Sequence, residues 1–228
     1  MIELYELAGA DPAHRFSPYS WRIRMALAHK GLKARLIPWH FGEKRLPGGH
    51  RRVPVLVDDG EVIAESTDIA LHLEDKYDHG PSLFGGEAGE AHARFIIAWT
   101  DSVLMPAMAP LLAADILRFV KPEARAYFRE SREKRLGTTL EKAAADRAQA
   151  LPGLRALMQP LRLVLTGQVF LGGDEPTYAD YTVFGAFQWA RCVSSLELLA
   201  EDDPIFAWRE RMLELFDGLA ADAPTAPQ

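Results

Sequence analysis

Apolar and polar positions alternate in part over Ile2–Leu7, the pattern of a strand with one buried face. The period then changes. Ser17-Pro18 reads as a helix start, since serine is a favoured cap and proline suits the first turn. Trp21, Ile23, Met25, Leu27 and Ala28 follow, and Gly31 ends the run. Ala34–Ile37 reads as a second strand and residues 41–52 as loop or irregular helix. Val53–Val57 and Glu61–Ala64 flank Asp58-Asp59-Gly60, a hairpin signal in which Pro54, lacking an N–H, belongs at a strand start or edge. A helix begins near Ser66 and runs through Ile69, Ala70, Leu73 and Tyr77. The order is βαβ, a hairpin, then α.

No strand pattern persists after Ala88. Helical periodicity covers 88–113, 121–148, 151–166, 179–193 and 203–218. Gly80–Gly89, with four glycines and a proline, marks a linker. The expected division is an α/β domain at 1–79, a linker at 80–87 and an all-helical domain at 88–228, with a frayed tail from Ala223.

Composition narrows the function classes. The chain has 26 basic and 32 acidic residues, a net charge of −6, the wrong sign for a nucleic-acid binder. Its longest uncharged run, Ser102–Ala114, is 13 residues, short of the roughly 20 that span a bilayer; no membrane partner is expected. The first residues carry Glu3 and Glu6 and no basic segment, so no secretory signal is expected. One cysteine, Cys192, excludes an internal disulfide and points to the cytoplasm. The seven histidines form no HxxxH pair, so no metal site is expected. Nucleotide-binding glycine motifs and the GxSxG elbow are absent.

Three segments retain chemistry. Ser17 would place a hydroxyl beside unpaired N–H groups at the positive end of a helix, a site that stabilises an anion such as a thiolate. Glu65-Ser66, where a strand meets a helix, could hold the carboxylate and ammonium of an α-amino acid. Lys44–Arg52 carries four cations and no acid, suited to a second carboxylate. Each has a plainer structural role as a cap or a solvated loop. Together they match a ligand with a central thiol, an amino-acid head and a distal carboxylate, the layout of glutathione. Thr177-Tyr178-Ala179-Asp180 reads as a capping box with no ligand role, worth about 1 kcal/mol.

At this point the chain resembles the glutathione transferase family over nearly its whole length. Residues 16–32, 52–57, 64–70 and 175–181 carry the likeness, with a Val-Pro pair and a Glu-Ser pair twelve residues apart. The resemblance implies a thioredoxin-like α/β N-terminal domain and an all-α C-terminal domain. It also implies a cis Val53–Pro54 bond, glutathione as co-substrate held by Arg52, Val53, Pro54, Glu65 and Ser66, and a homodimer. The Ser-Pro-Tyr motif and Trp21 are most similar to fungal serine-type members and bacterial lignin β-etherases, implying Ser17 as thiolate donor; Tyr5 is the rival. The acceptor would be an apolar, aromatic electrophile in a pocket walled by Phe16, Tyr19, Trp99, Met105, Met108, Ile116 and Phe119. By its spacing, each of these taken singly fits a plain helix-bundle core better than a pocket wall. Gln188 and Cys192 lie one helical turn apart, and a buried structural role suits Cys192 better. Conjugation, ether cleavage, isomerisation and carriage without turnover are the competing activities.

Overall fold

A computed structural model of the chain describes residues 1–43 and 45–227. The N-terminal part runs β1 (Ile2–Leu7), α1 (Pro18–His29), β2 (Ala34–Trp39), β3 (Val55–Asp58), β4 (Glu61–Ala64) and α2 (Ser66–Lys76). The sheet order is β2-β1-β3-β4, with β1 parallel to β2 and antiparallel to β3, and β4 antiparallel to β3. This is the thioredoxin-like arrangement. The Val53–Pro54 bond is cis. Strand β3 starts later than its apolar run because Pro54 has no N–H for the ladder; pairing begins at Val55.

Period-two alternation sorts β1 into two faces. Ile2, Leu4 and Glu6 are buried, whereas Glu3, Tyr5 and Leu7 are half-buried. Helix α1 covers the first set, since Glu6 pairs with Arg24 of that helix at 3.9 Å and with Arg15 at 3.3 Å. Asp58 shares the buried face and accepts from His72 Nε2 at 3.0 Å, Tyr77 Oη at 2.9 Å and Lys76 Nζ at 2.9 Å, which ties α2 to the hairpin. Burial works against the Asp58 charge, yet the three donors outweigh it and hold the carboxyl below the usual aspartate range. With its folded pKa depressed, the stability it contributes is full above the unfolded value near 4 and is lost as pH falls through the lower folded value. Asp58→Asn should therefore lower stability at pH 7 by about 1–2 kcal/mol and flatten the loss between neutral and acid conditions, as read by urea unfolding at several pH values.

The remainder is helical: α3 (Glu87–Trp99), α4 (Met105–Ile116), α5 (Arg125–Leu136), α6 (Leu140–Ala145), α7 (Arg147–Leu157), α8 (Gln159–Gly167), α9 (Tyr178–Val193) and α10 (Pro204–Gly218). Three breaks depart from the sequence periods, each with a local cause. Pro106 cannot donate to the Ser102 carbonyl, and the turn before it, Thr100–Leu104, winds as a π-helix in which Met105 N–H bonds to Thr100 O. Gly137, at φ 67°, stops α5 in the left-handed region. Pro160, in the first turn of α8, separates it from α7, so the expected 151–166 helix is two.

By length and composition alone, the continuous helical stretch Glu87–Phe119 is apolar enough to cross a membrane, with a mean hydropathy of 1.5 in its best window. Asp101 interrupts its uncharged run. In the fold this stretch forms the spine of the helical part, and Met108, Leu111, Leu112 and Ile116 are buried in the core.

Helix α9 is the main support of the N-terminal part, and it is buried along nearly its full length. A Cβ at Gly185 would sit 2.4 Å from the Pro18 carbonyl oxygen; only glycine allows α9 this close to the first turn of α1. Further ties are the Arg22–Asp101 pair at 2.5 Å, His14 Nε2 donating to Cys192 O at 2.8 Å, and Tyr178 Oη donating to Ser66 O at 2.7 Å.

Candidate functional site

Ser17 is the cap of α1, with extended backbone angles, and it is buried. Its Oγ accepts from Ser20 N at 3.2 Å, and Trp21 N donates to Ser17 O at 3.0 Å. Accepting that bond leaves the hydroxyl proton free to donate outward, where Tyr19 N–H is also unsatisfied by the helix. Indole Nε1 of Trp21 donates to Arg15 O at 3.0 Å and anchors the loop that delivers Ser17. The hydroxyl, one amide and the helix dipole thus converge on one spot.

Tyr5 stands elsewhere. Its side chain belongs to the face of β1 opposite α1, and its hydroxyl donates to Glu3 at 3.3 Å. Burial and then the Glu3 charge push its pKa up, the wrong direction for a group meant to share a proton with a thiolate.

Glu65 is the residue before α2 and holds φ 68°, ψ 131°. A non-glycine residue in that region is strained, and such strain gathers at functional positions. Ile69 N is the first α2 amide to find the helix, at Glu65 O, so the N–H groups of Ser66, Thr67 and Asp68 are left for another acceptor. Ser66 is buried with its carbonyl held by Tyr178, while Glu65 is exposed. Glu65 also borders a cavity of about 210 Å³ lined by His50, Arg51, Arg52 and Ala64. Burial and then the Asp101 charge raise the Tyr19 pKa, and Glu65 adds a smaller effect of the same sign. Val53 is half-buried just before the β3 ladder, and Pro54 is buried. Arg45, Arg51 and Arg52 are exposed; Lys44 lies outside the described residues.

The expected pocket walls divide. Phe16 is buried, with its ring centroid 6.4 Å from both Phe41 and Phe119. Phe119 stacks on His14 at 4.3 Å, and burial lowers the His14 pKa. Tyr19 and Trp99 are half-buried. Met105, Met108 and Ile116 lie in the core of the helical part. Gln188 is buried and donates to Ala220 O at 2.8 Å. Burial pushes the Cys192 thiol up to about 12, so it is inert as a nucleophile. Phe41, Phe128 and Arg132 join Phe16 across the two parts of the chain; nothing local marks them, because Phe41 lies in a loop without strand or helix periodicity. Among the described residues, no group of three or more His, Cys, Asp or Glu is placed to hold a metal ion.

Two family models match. Residues 91–210 match the glutathione S-transferase C-terminal domain and residues 13–82 the glutathione S-transferase N-terminal domain. The chain belongs to the glutathione S-transferase family. Its relatives include a probable glutathione S-transferase of Oryza sativa subsp. japonica, 27% identical over 86% of this chain and 80% of that one. Among solved structures, a glutathione transferase of Phanerochaete chrysosporium is 29% identical, with TM-score 0.68 over 95% of this chain and 92% of the other. The glutathione S-transferase of Ceriporiopsis subvermispora, solved in complex with glutathione, has TM-score 0.76 at 24% identity over 100% of this chain and 99% of that chain. At that identity the likeness is one of fold. The Ser17 and Ser66 helix starts fall within the matched N-terminal segment of this family member.

Proposed function

We propose that this family member binds glutathione across the starts of α1 and α2 and activates its thiol at Ser17. The free amides of α2 and Ser66 take the γ-glutamyl carboxylate, and Glu65 takes the ammonium. The Val53 backbone pairs with the cysteinyl unit before the cis Pro54, and Arg52 faces the glycine carboxylate. The observation that carries this reading is the buried Ser17 hydroxyl at a helix start, its acceptor side already used by Ser20 N–H.

The thiol loses its proton to solvent, and the thiolate attacks an electrophilic carbon of an aromatic substrate. A sulfur–carbon bond forms and the leaving group departs with the bonding pair. In the β-aryl ether version the leaving group is an aryloxide, which takes up a proton. The protein's share is orientation and thiolate stabilisation, with no covalent enzyme intermediate. A cytoplasmic homodimer is part of the same reading, supported by the family match and the single buried cysteine.

The test is an ultraviolet titration of the glutathione thiolate bound to the protein. A hydroxyl donor and a helix terminus together supply roughly 2–3 kcal/mol, which brings the bound thiol from near 9 to about 7. Binding with an unshifted pKa overturns thiolate activation in favour of a carrier. Absence of binding overturns the whole site. Product analysis then separates conjugation or ether cleavage, which consume free thiol, from isomerisation, which returns it.

A further inference from the structure

Between the Ser17 region and the helical part lies a cluster of rings that ends in an unmatched cation. Phe16 meets Phe41, and Phe41 meets Phe128 edge-on with centroids 5.3 Å apart and planes at 63°. The Arg132 guanidinium caps this pair, 4.8 Å from the Phe128 centroid and 5.5 Å from that of Phe41. Its one side-chain hydrogen bond among the described residues goes to the neighbouring Ser131 hydroxyl, at 3.0 Å. No carboxylate among the described residues forms an ion pair with it; the nearby Glu133 pairs with Arg129. Burial first and then the charge of Arg135 disfavour the charged form of Arg132, against a smaller opposing effect of Tyr127. The other charges near these rings are matched: Arg118, 6.0 Å from the Phe119 ring, pairs with Asp115, and Lys121 pairs with Glu43.

A guanidinium stacked on two rings has its planar fork oriented before any ligand arrives, which suits a carboxylate. Burial and then the charge of Asp101 raise the Tyr19 pKa, while Arg22 and Arg135 oppose that rise, so Arg135 lies within electrostatic reach of the first turn of α1. Solvent screens the exposed Arg135, so the half-buried Arg132, with no ion-pair partner among the described residues, is the cation that gains more from a ligand's opposite charge.

We propose that Arg132, backed by Arg135, forms an anion subsite, so that the preferred acceptor is an aromatic electrophile bearing a carboxylate. This deepens the reading above and rests on it for the reaction, though the binding claim stands without turnover. The ring of the acceptor lies against the half-buried Phe41, its electrophilic carbon toward Ser17 and its carboxylate toward Arg132.

The probes are dinitrobenzoate and its methyl ester for binding, and chlorodinitrobenzoate and its methyl ester for reaction. In the reaction the glutathione thiolate displaces chloride from the ring carbon, and chloride leaves with the bonding pair. Calorimetry in the presence of glutathione should show the benzoate bound at least about tenfold more tightly than the ester, the value of one charge-assisted hydrogen bond. Arg132→Gln should abolish that preference while leaving the ester within about twofold. Arg132→Lys should restore part of it, since charge returns without the stacked fork. Arg135→Gln should reduce the preference by a smaller factor, and its position away from the rings protects the test against misfolding of the first variant. Equal binding of ion and ester by the native protein, or an equal loss of both in Arg132→Gln, overturns the subsite. Charge-selective binding without conjugate formation supports the subsite and overturns the transferase reading.

Discussion

Ser17→Ala is expected to raise the pKa of bound glutathione by about one to two units and to lower conjugation at neutral pH by one to two orders of magnitude. The size follows from the loss of one charge-assisted hydrogen bond, about 1.5–3 kcal/mol. The helix start and the Tyr19 amide survive the substitution, so the shift is partial. Ser17 also caps α1 through Ser20 N–H at 3.2 Å, and losing the cap costs about 1 kcal/mol of stability. Thiolate absorbance and turnover measured on the same preparation separate these effects, because a stability loss alone leaves the bound pKa where it was. Tyr5→Phe provides the contrast. Its hydroxyl donates to Glu3 on the face of β1 turned away from α1, so both readouts should stay within about twofold of native, as for a substitution remote from the chemistry. If Tyr5→Phe abolishes the pKa shift and Ser17→Ala does not, the assignment of the donor is wrong.

The second large effect concerns folding. Asp180 accepts from Leu171 N at 2.7 Å, Gly172 N at 3.1 Å, Thr177 N at 3.0 Å and Trp208 Nε1 at 3.0 Å, all with the carboxylate buried. The expected capping box is present, but it is one part of a junction joining the 170s loop, α9 and α10. Removing the carboxylate strands several buried donors, each costing about 1–3 kcal/mol. Asp180→Ala should therefore destabilise the protein by about 4 kcal/mol or more, well above the ~1 kcal/mol that a lone cap is worth. Asp180→Asn should also destabilise, since its amide nitrogen must face an N–H. Denaturant unfolding monitored by circular dichroism reads both. A loss near 1 kcal/mol for the alanine variant would mean that the cap alone matters.

Ser17-Pro18 and Thr177–Asp180 were legible in the sequence because a helix start is a local event: the cap, its amide partner and the dipole all lie within four residues. The two-part architecture was legible for a related reason, since the change from alternating strands to helical periods persists over long stretches. Register details were less so. The late start of β3 and the split of α7 from α8 turn on single prolines whose effect depends on what they face.

The pocket was the least legible part. Met105, Met108 and Ile116 have the same apolar spacing as any wall residue, and only the packing of α4 turns them into the core. Phe41 and Arg132 are far apart in sequence and meet only because the chain brings loop 41–43 against α5. Gly185 looks like an ordinary helical glycine until α9 is laid against Pro18.

The sequence by itself thus determined the order of elements, the two capped helix starts and the family to which the chain belongs. Tertiary structure decided which face of β1 each tyrosine or carboxylate occupies, how many donors surround Asp180, and where an unmatched cation stands. The reason is range: caps and periods are fixed by neighbours along the chain, whereas burial, charge matching and ring contacts depend on residues that only folding brings together.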